Sequence, residues 1–441
     1  MNAISAGDTA WVLTSSALVM VMTVGLAFFY GGLVRPKNAL NTMMMSVVAL
    51  GVVSVQWVLV GYSIAFGHGT PWWGGLAWLG FNGVGLEPDA AYGGTIPLQA
   101  HAMFQLMFAI ITPALISGAI VERMRFRAYV VFLVLWATFV YDPLAHWVWG
   151  AGGWLAKLGA LDFAGGTVVH ISAGVSALVA AAMLGPRKDF KRTAIVPHNV
   201  PLVLLGAGLL WFGWFGFNAG SALAANGLAA LAFTNTNTAA ATALVTWVCL
   251  DLLRTGKATA VGAATGLVVG LVGITPAAGY ITAPASLAVG ALATLVSYTA
   301  IQIRAKTRLD DSLDVFSCHG LAGVAGALLT GVFATKLANP AGGDGWLAGN
   351  FAQMGVQLVA ILAAVVIAAA GTAVILALVQ ATLGAKAGVR EQLSGLDLSE
   401  HGEEAYFGEQ GTTLSPGVSI GQGVIVSGAP PPARAKVTAA G

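Results

Sequence analysis

The sequence predicts an all-α, polytopic membrane protein, and three observations carry that prediction. The 441-residue chain is 57% hydrophobic and only 9% charged, where soluble proteins carry roughly a quarter of their residues as charges. Apolar runs of about 20 residues, long enough to cross roughly 30 Å of hydrocarbon, recur from one end to the other. The Lys and Arg residues fall in alternate gaps between these runs. Because the runs are continuous rather than alternating, a β-barrel is excluded. The 58 glycines suit helices that approach closely, since tight packing drives association in lipid. A net charge of +2 gives no basis for binding nucleic acid. Cys249 and Cys318 both lie in apolar segments and are expected to be small buried residues, with no disulfide or metal framework.

Taken in order, eleven spans are expected at 10–33, 41–66, 98–120, 128–149, 166–184, 201–218, 227–253, 259–276, 284–303, 315–333 and 350–383. The segment before the first has no basic n-region, so that span is read as retained. Gly and Pro weaken 259–276 and 315–333, and the alternation of charge restores both. Arg35 and Lys37, Arg123 to Arg127, Arg187 to Arg192, Arg254 and Lys257, Arg304 to Arg308, and Lys386, Arg390, Arg434 and Lys436 share one side. Of the 20 Lys and Arg, only Lys157 and Lys336 fall on the other. The positive-inside rule then puts the N-terminus outside and the C-terminus in the cytoplasm, which requires an odd number of spans.

The chain is organised around Leu161-Asp-Phe-Ala-Gly-Gly-Thr-Val-Val-His170. Asp162 precedes His170 by eight residues, and Asp311 precedes His319 by the same eight. An ionisable group well inside a span marks a path for something polar. Span five runs inward and span ten outward, so spans one to five and six to ten (about 10–184 and 201–333) read as an inverted repeat with its site near the midplane. At about 1.5 Å per residue, each histidine lies roughly 12 Å from its acid, which brings both imidazoles toward the bilayer centre. Span eleven lies outside the repeat and is long enough to tilt across it.

The same topology sorts the aromatic residues. Phe104 and Phe108 are four apart and share one helical face. Span six ends near Phe217 and Ser221, span four ends at Trp149, and Asp162 opens span five on the same side. Ring faces and an acid suit a small cation. Singly, each residue has a plainer reading: Asp162 and Ser221 as helix-end caps, Trp149 as an interfacial belt residue. His68, His101, His146 and His198 lie at or near span ends and receive no transport role.

At these residues the chain resembles the ammonium transporter family (Amt/Rh/Mep), and its bacterial Amt branch in particular. The matching motifs are Phe29-Tyr-Gly-Gly-Leu-Val-Arg35, Leu161 to His170, Gly213 to Ser221, Gly273 to Gly279, Asp314 to Gly320 and Gly395 to Tyr406. The resemblance implies a homotrimer of eleven-helix protomers in the cell membrane, each with its own pore. It implies that Phe104, Phe108, Trp149 and Ser221 recruit ammonium, with methylammonium a further candidate. Asp162 would support selection, held by backbone and hydroxyl groups. Phe108 and Phe217 would close the pore, and His170 and His319 would be hydrogen-bonded within it. Gln105 and Thr275 match positions near or lining the path. No enzymatic activity and no cofactor are implied.

Residues 1–385 are thus expected to form the transporter, 386–408 a cytoplasmic tail that packs on neighbouring protomers, and 409–441 a disordered extension. A PII-type nitrogen-signalling protein is the implied partner on the cytoplasmic face, membrane lipid surrounds the spans, and Ser399 is a candidate modification site. Asp142 departs from the family pattern, which is apolar there; lipid-shielded burial in the trimer and exposure to the vestibule both remain open. The expected mechanism is recruitment of ammonium, loss of its proton, and passage of ammonia along the imidazoles with the proton following, a net electrogenic process. The alternatives are an ammonium sensor with little flux, a neutral gas channel of the Rh type, and a bis-histidine haem electron carrier with His170 and His319 as axial ligands.

Overall fold

A computed structural model describes residues 3–406. The expected extension 409–441 and the last two residues of the expected tail lie outside the described residues. Eleven apolar helices follow one another: α1 (Ala6–Leu33), α2 (Pro36–Phe66), α3 (Leu98–Ile120), α4 (Phe126–Leu158), α5 (Gly166–Leu184), α6 (Val200–Gly220), α7 (Gly227–Thr255), α8 (Ala260–Ile274), α9 (Ala283–Lys306), α10 (Phe316–Phe333) and α11 (Ala352–Leu383). Ten are long and apolar enough to cross a membrane, and α8 is the short one. Among the described residues the only bridge between extended segments joins Met124 to Lys386. The fold is that of an eleven-helix, multi-pass membrane protein with an inverted repeat.

The first helices of the two halves, α1 and α6, form the main seam. Small residues make it possible. A Cβ on Gly206 would lie 2.3 Å from the Phe29 nitrogen, and one on Gly213 would lie 2.5 Å from the Leu18 carbonyl oxygen. Backbones meet there directly, which is how apolar helices gain packing in lipid. The third helix is the most enclosed, since nearly all of it from Leu98 to Ile120 is buried. The last helix packs against α4, α5 and α10.

Four helices contain a π turn: Trp57–Gly61 in α2, Ala137–Tyr141 in α4, Gly166–Ile171 at the start of α5 and Phe316–Leu321 at the start of α10. Such turns widen the helix locally and free backbone groups, and they recur at functional sites. Two of them carry the histidines. The expected regular rise from acid to histidine therefore does not describe these segments.

One end of the bundle is basic. Buried Glu122 accepts hydrogen bonds from Arg35 at Nε (3.0 Å) and Nη2 (2.7 Å) and from Arg187 at 3.0 Å. Arg187 also donates to both oxygens of Asp310, at 2.9 and 2.8 Å. Glu122 has φ +66°, a backbone state that a non-glycine residue holds only when its surroundings enforce it. The segment after α11 folds back onto this end of its own chain: Asp397 accepts from the Leu40 and Asn41 nitrogens at 3.0 and 2.7 Å. Ser399 turns its hydroxyl onto the Gly395 carbonyl at 2.8 Å.

One expectation is corrected, and one of two open alternatives is removed. Cys318 is buried, but Cys249 is exposed on the outer face of α7, where an apolar segment offers a helix face rather than a core position. Asp142 is fully buried, so it does not face a vestibule. Gln56 on α2 donates to its Oδ2 at 2.7 Å.

Candidate functional site

Both histidines are carried by the same local device. Before α5 the chain turns at Gly165, whose φ of +109° suits a residue without a Cβ. The turn folds four N–H groups onto Asp162: Gly165 and Gly166 donate to Oδ1 at 2.9 and 2.6 Å, Thr167 and Val168 to Oδ2 at 2.9 and 3.1 Å. A helix start leaves such donors without intrahelical partners, and an ionised carboxylate, which only accepts, matches them. Among the described residues no hydroxyl takes part, contrary to expectation, and the Thr167 hydroxyl has no partner. In the second half Asp311 accepts from Val315 and Phe316 at 3.0 and 2.8 Å, and the π turn that follows carries His319.

Helices α5 and α10 cross at Gly174 and Gly320. A Cβ on Gly174 would lie 2.2 Å from the Gly320 nitrogen, so only glycine permits this approach. The crossing sets His170 Nδ1 3.3 Å from His319 Nδ1, with the rings 27° from parallel. One nitrogen donates and the other accepts, so the pair can hold a proton in either of two arrangements. The two axial nitrogens of a haem lie on opposite sides of its iron, roughly 4 Å apart with the macrocycle between them, and the touching pair does not fit the haem alternative. Among the described residues, Nε2 of His170 is buried without a partner, leaving a hydrogen-bonding site for a passing molecule.

Aromatic rings pack between the histidines and the Trp149 end of the bundle. Phe108 and Phe217 stack at 4.1 Å and 26°; Phe217 lies 6.1 Å from His170. Phe108 also meets Phe104 at 5.0 Å and Trp149 at 6.0 Å, both edge to face. Trp149 Nε1 donates to the Asp162 carbonyl at 2.9 Å, tying the mouth to the acid. Ser221 donates to the Phe217 carbonyl at 2.8 Å and remains half-buried at the end of α6.

Beneath the stack lies a constriction of about 10 Å³ lined by the two histidines, Phe217, Trp214 and aliphatic residues including Leu26 and Val268. That is the space of about one water-sized particle. Phe29, Tyr30 and His319 line both this constriction and a larger cavity of about 500 Å³ at the basic end. An ion with its hydration shell does not fit the narrow part; a single molecule the size of water does.

Neither Gln105 nor Thr275 lines the constriction. Gln105 is buried on α3 with Oε1 unpartnered among the described residues. Thr275 accepts from Trp214 Nε1 at 2.9 Å and donates to the Leu271 carbonyl at 2.7 Å. It thereby orients Trp214, which stacks on His170 at 5.4 Å and 22°. Sequence reasoning missed Trp214, although its position three residues before Phe217 puts both rings on one helical face. Among the described residues no group of three or more His, Cys, Asp or Glu is arranged to hold a metal ion.

Comparison with known proteins gives a consistent result. The profile of the Ammonium Transporter Family matches residues 10–406. An ammonium transporter of Bacillus subtilis is 49% identical over 401 residues, 91% of this chain and 98% of the relative. One of Aquifex aeolicus is 50% identical over 408 residues, 91% of this chain and 93% of the relative. The crystal structure of Saccharomyces cerevisiae Mep2 superposes with a TM-score of 0.83 at 37% identity, covering 88% of each chain. A structure described as a sensor Amt protein gives 0.82 at 29% identity, covering 90% of this chain and 98% of that one.

Proposed function

We propose a transport mechanism from one premise: this chain belongs to the ammonium transporter family. It is a transporter of ammonium in a membrane and not an enzyme. The finer reading is that ammonium is recruited at Phe104, Phe108, Trp149 and Ser221, loses its proton beside the Phe108–Phe217 stack, and crosses as ammonia past His170 and His319. Asp162 supports selection indirectly, because its oxygens are committed to four backbone N–H groups. The Trp149 end is external and the basic end cytoplasmic. The protomer works within a homotrimer, and the segment after α11 is its regulatory tail and the face on which a PII-type protein docks.

The observation that carries this reading is the touching imidazole pair in an otherwise apolar constriction. Bare ammonium in such a space meets a desolvation cost of tens of kcal/mol in the idealised limit, whereas ammonia is neutral. Potassium has no proton to leave behind, so a passage that requires deprotonation rejects it. Histidine is the side chain suited to relay the released proton near neutral pH. With the proton following through the pair, each turnover carries net charge. Ammonium uptake and current, recorded together on proteoliposomes, test this: both are expected at once, and uptake without current would overturn the proton-coupled mechanism.

A further inference from the structure

We propose that the cavity at the basic end holds a second cation site, built on Asp251, that takes ammonium. The inference rests on the transport reading above and extends it to the other mouth. Asp251 is 8% exposed and lines the same cavity as His319, one turn from the end of α7. Its Oδ2 accepts from the Thr259 hydroxyl at 2.8 Å, and its Oδ1 has only a long contact from the Tyr298 hydroxyl at 3.3 Å. Among the described residues no cation pairs with it. Of the other charges at this cavity, half-buried Arg304 holds Asp314 at 2.7 Å and buried Arg187 holds Asp310 at 2.8 Å, while the exposed Lys191 lies over the Phe190 ring at 5.8 Å.

An enclosed carboxylate without a counter-ion is costly, and a cation entering the cavity relieves that cost. The surroundings suit ammonium in particular. Trp247 and Tyr298 pack edge to face at 5.1 Å and both line the cavity, offering ring faces to a cation. Carboxylate and hydroxyl oxygens can accept its N–H groups in several directions. Gly262 makes room for the arrangement, because a Cβ there would lie 2.4 Å from Asp251 Oδ2 and 2.7 Å from Trp247 Nε1. An acid, hydroxyls and aromatic rings thus recur at the end opposite Trp149. Ammonia that has passed His319 joins the proton relayed through the histidines to give ammonium, with no other product. Held at Asp251, the cation cannot return through the apolar constriction.

Infrared difference spectra of the full-length protein in liposomes, ammonium chloride against potassium chloride, test the site directly. A carboxylate band that responds to ammonium and not to potassium is expected, and Asp251→Asn should remove it. Tyr298→Phe should keep the band, shift its frequency and raise the half-saturating ammonium concentration by roughly three-fold. An ammonium response identical in wild type and Asp251→Asn overturns the proposal. Should Asp251→Asn fail to fold, an unchanged band and half-saturation in Tyr298→Phe overturn it instead. Current recorded on the same liposomes separates the two readings. Current without an Asp251 band removes the site and leaves the transport mechanism standing, while an Asp251 band without current retains the site and removes the mechanism.

Discussion

Asp162 and Asp311 each precede a histidine by eight residues, and each starts a helix with a π turn, yet the two acids live in different company. Asp162 takes four N–H groups and has the Trp149 ring beside it. Asp311 takes two N–H groups and shares its end of the bundle with Asp310, Asp314, Arg187 and Arg304. Burial, together with the neighbouring Asp314 charge, pushes the Asp311 carboxyl above its ordinary range, while the Phe316 and Val315 N–H groups and Arg304 oppose the rise. The contrast separates two duties. One half folds four backbone N–H groups onto its acid beside the Trp149 ring; the other sets the same device among a network of charges.

The largest effect should come from deleting the two acids in turn. Each buried N–H left without an acceptor costs about 1–3 kcal/mol. Asp162→Ala strands four of them and Asp311→Ala two. Thermal unfolding of the purified variants should therefore show a loss of about 4 kcal/mol or more for Asp162→Ala and roughly half as much for Asp311→Ala. Equal losses would break the contrast.

Acid should attack the network end next. Burial alone would raise the Glu122 carboxyl, but the Arg35 hydrogen bond and the Arg187 and Arg35 charges hold it at about 2, below its ordinary 4.5. A depressed carboxyl stabilises the folded state above the unfolded pKa, and that stability is lost as pH falls through the folded one. Up to about 3 kcal/mol should disappear between pH 4.5 and 2, and Glu122→Gln should flatten the profile in that window. A wild-type profile that is already flat would remove this role.

The helix crossing gives a smaller and directional effect. Gly174→Ala drives a methyl into the Gly320 backbone, whereas Gly320→Ala first meets the Phe316 ring at 2.8 Å, which can move. The first should cost about 1–3 kcal/mol and most of the ammonium-evoked current; the second should cost less of both. Smallest is Thr275→Val, which leaves the Trp214 N–H unpaired for about 1 kcal/mol and should lower current less than ten-fold.

The span count and the paired acid–histidine motif were legible because each is written in local pattern: apolar length, alternating charge, an eight-residue repeat. The stacked Phe108 and Phe217 were placed by family resemblance rather than by spacing. What the sequence concealed depends on tertiary fit. Nothing in the 166–171 or 316–321 segments announces a π turn, because composition does not separate a single π turn from the α-helix that contains it. The Thr275–Trp214–His170 chain joins α8, α6 and α5, which no periodicity connects. Asp142 was conspicuous as an acid in a span, but its Gln56 partner lies on another helix. Cys249 shows the converse limit: an apolar neighbourhood in sequence does not distinguish a buried helix face from an exposed one.

The central claim is that the paired imidazoles make passage depend on giving up a proton. Solid-supported membrane recording on proteoliposomes, comparing ammonium with potassium in wild type and in His170→Ala, tests it most directly. Current for ammonium and none for potassium is predicted in wild type, with either the current or the discrimination lost in the variant. A variant that keeps both the current and the wild-type discrimination would contradict the claim.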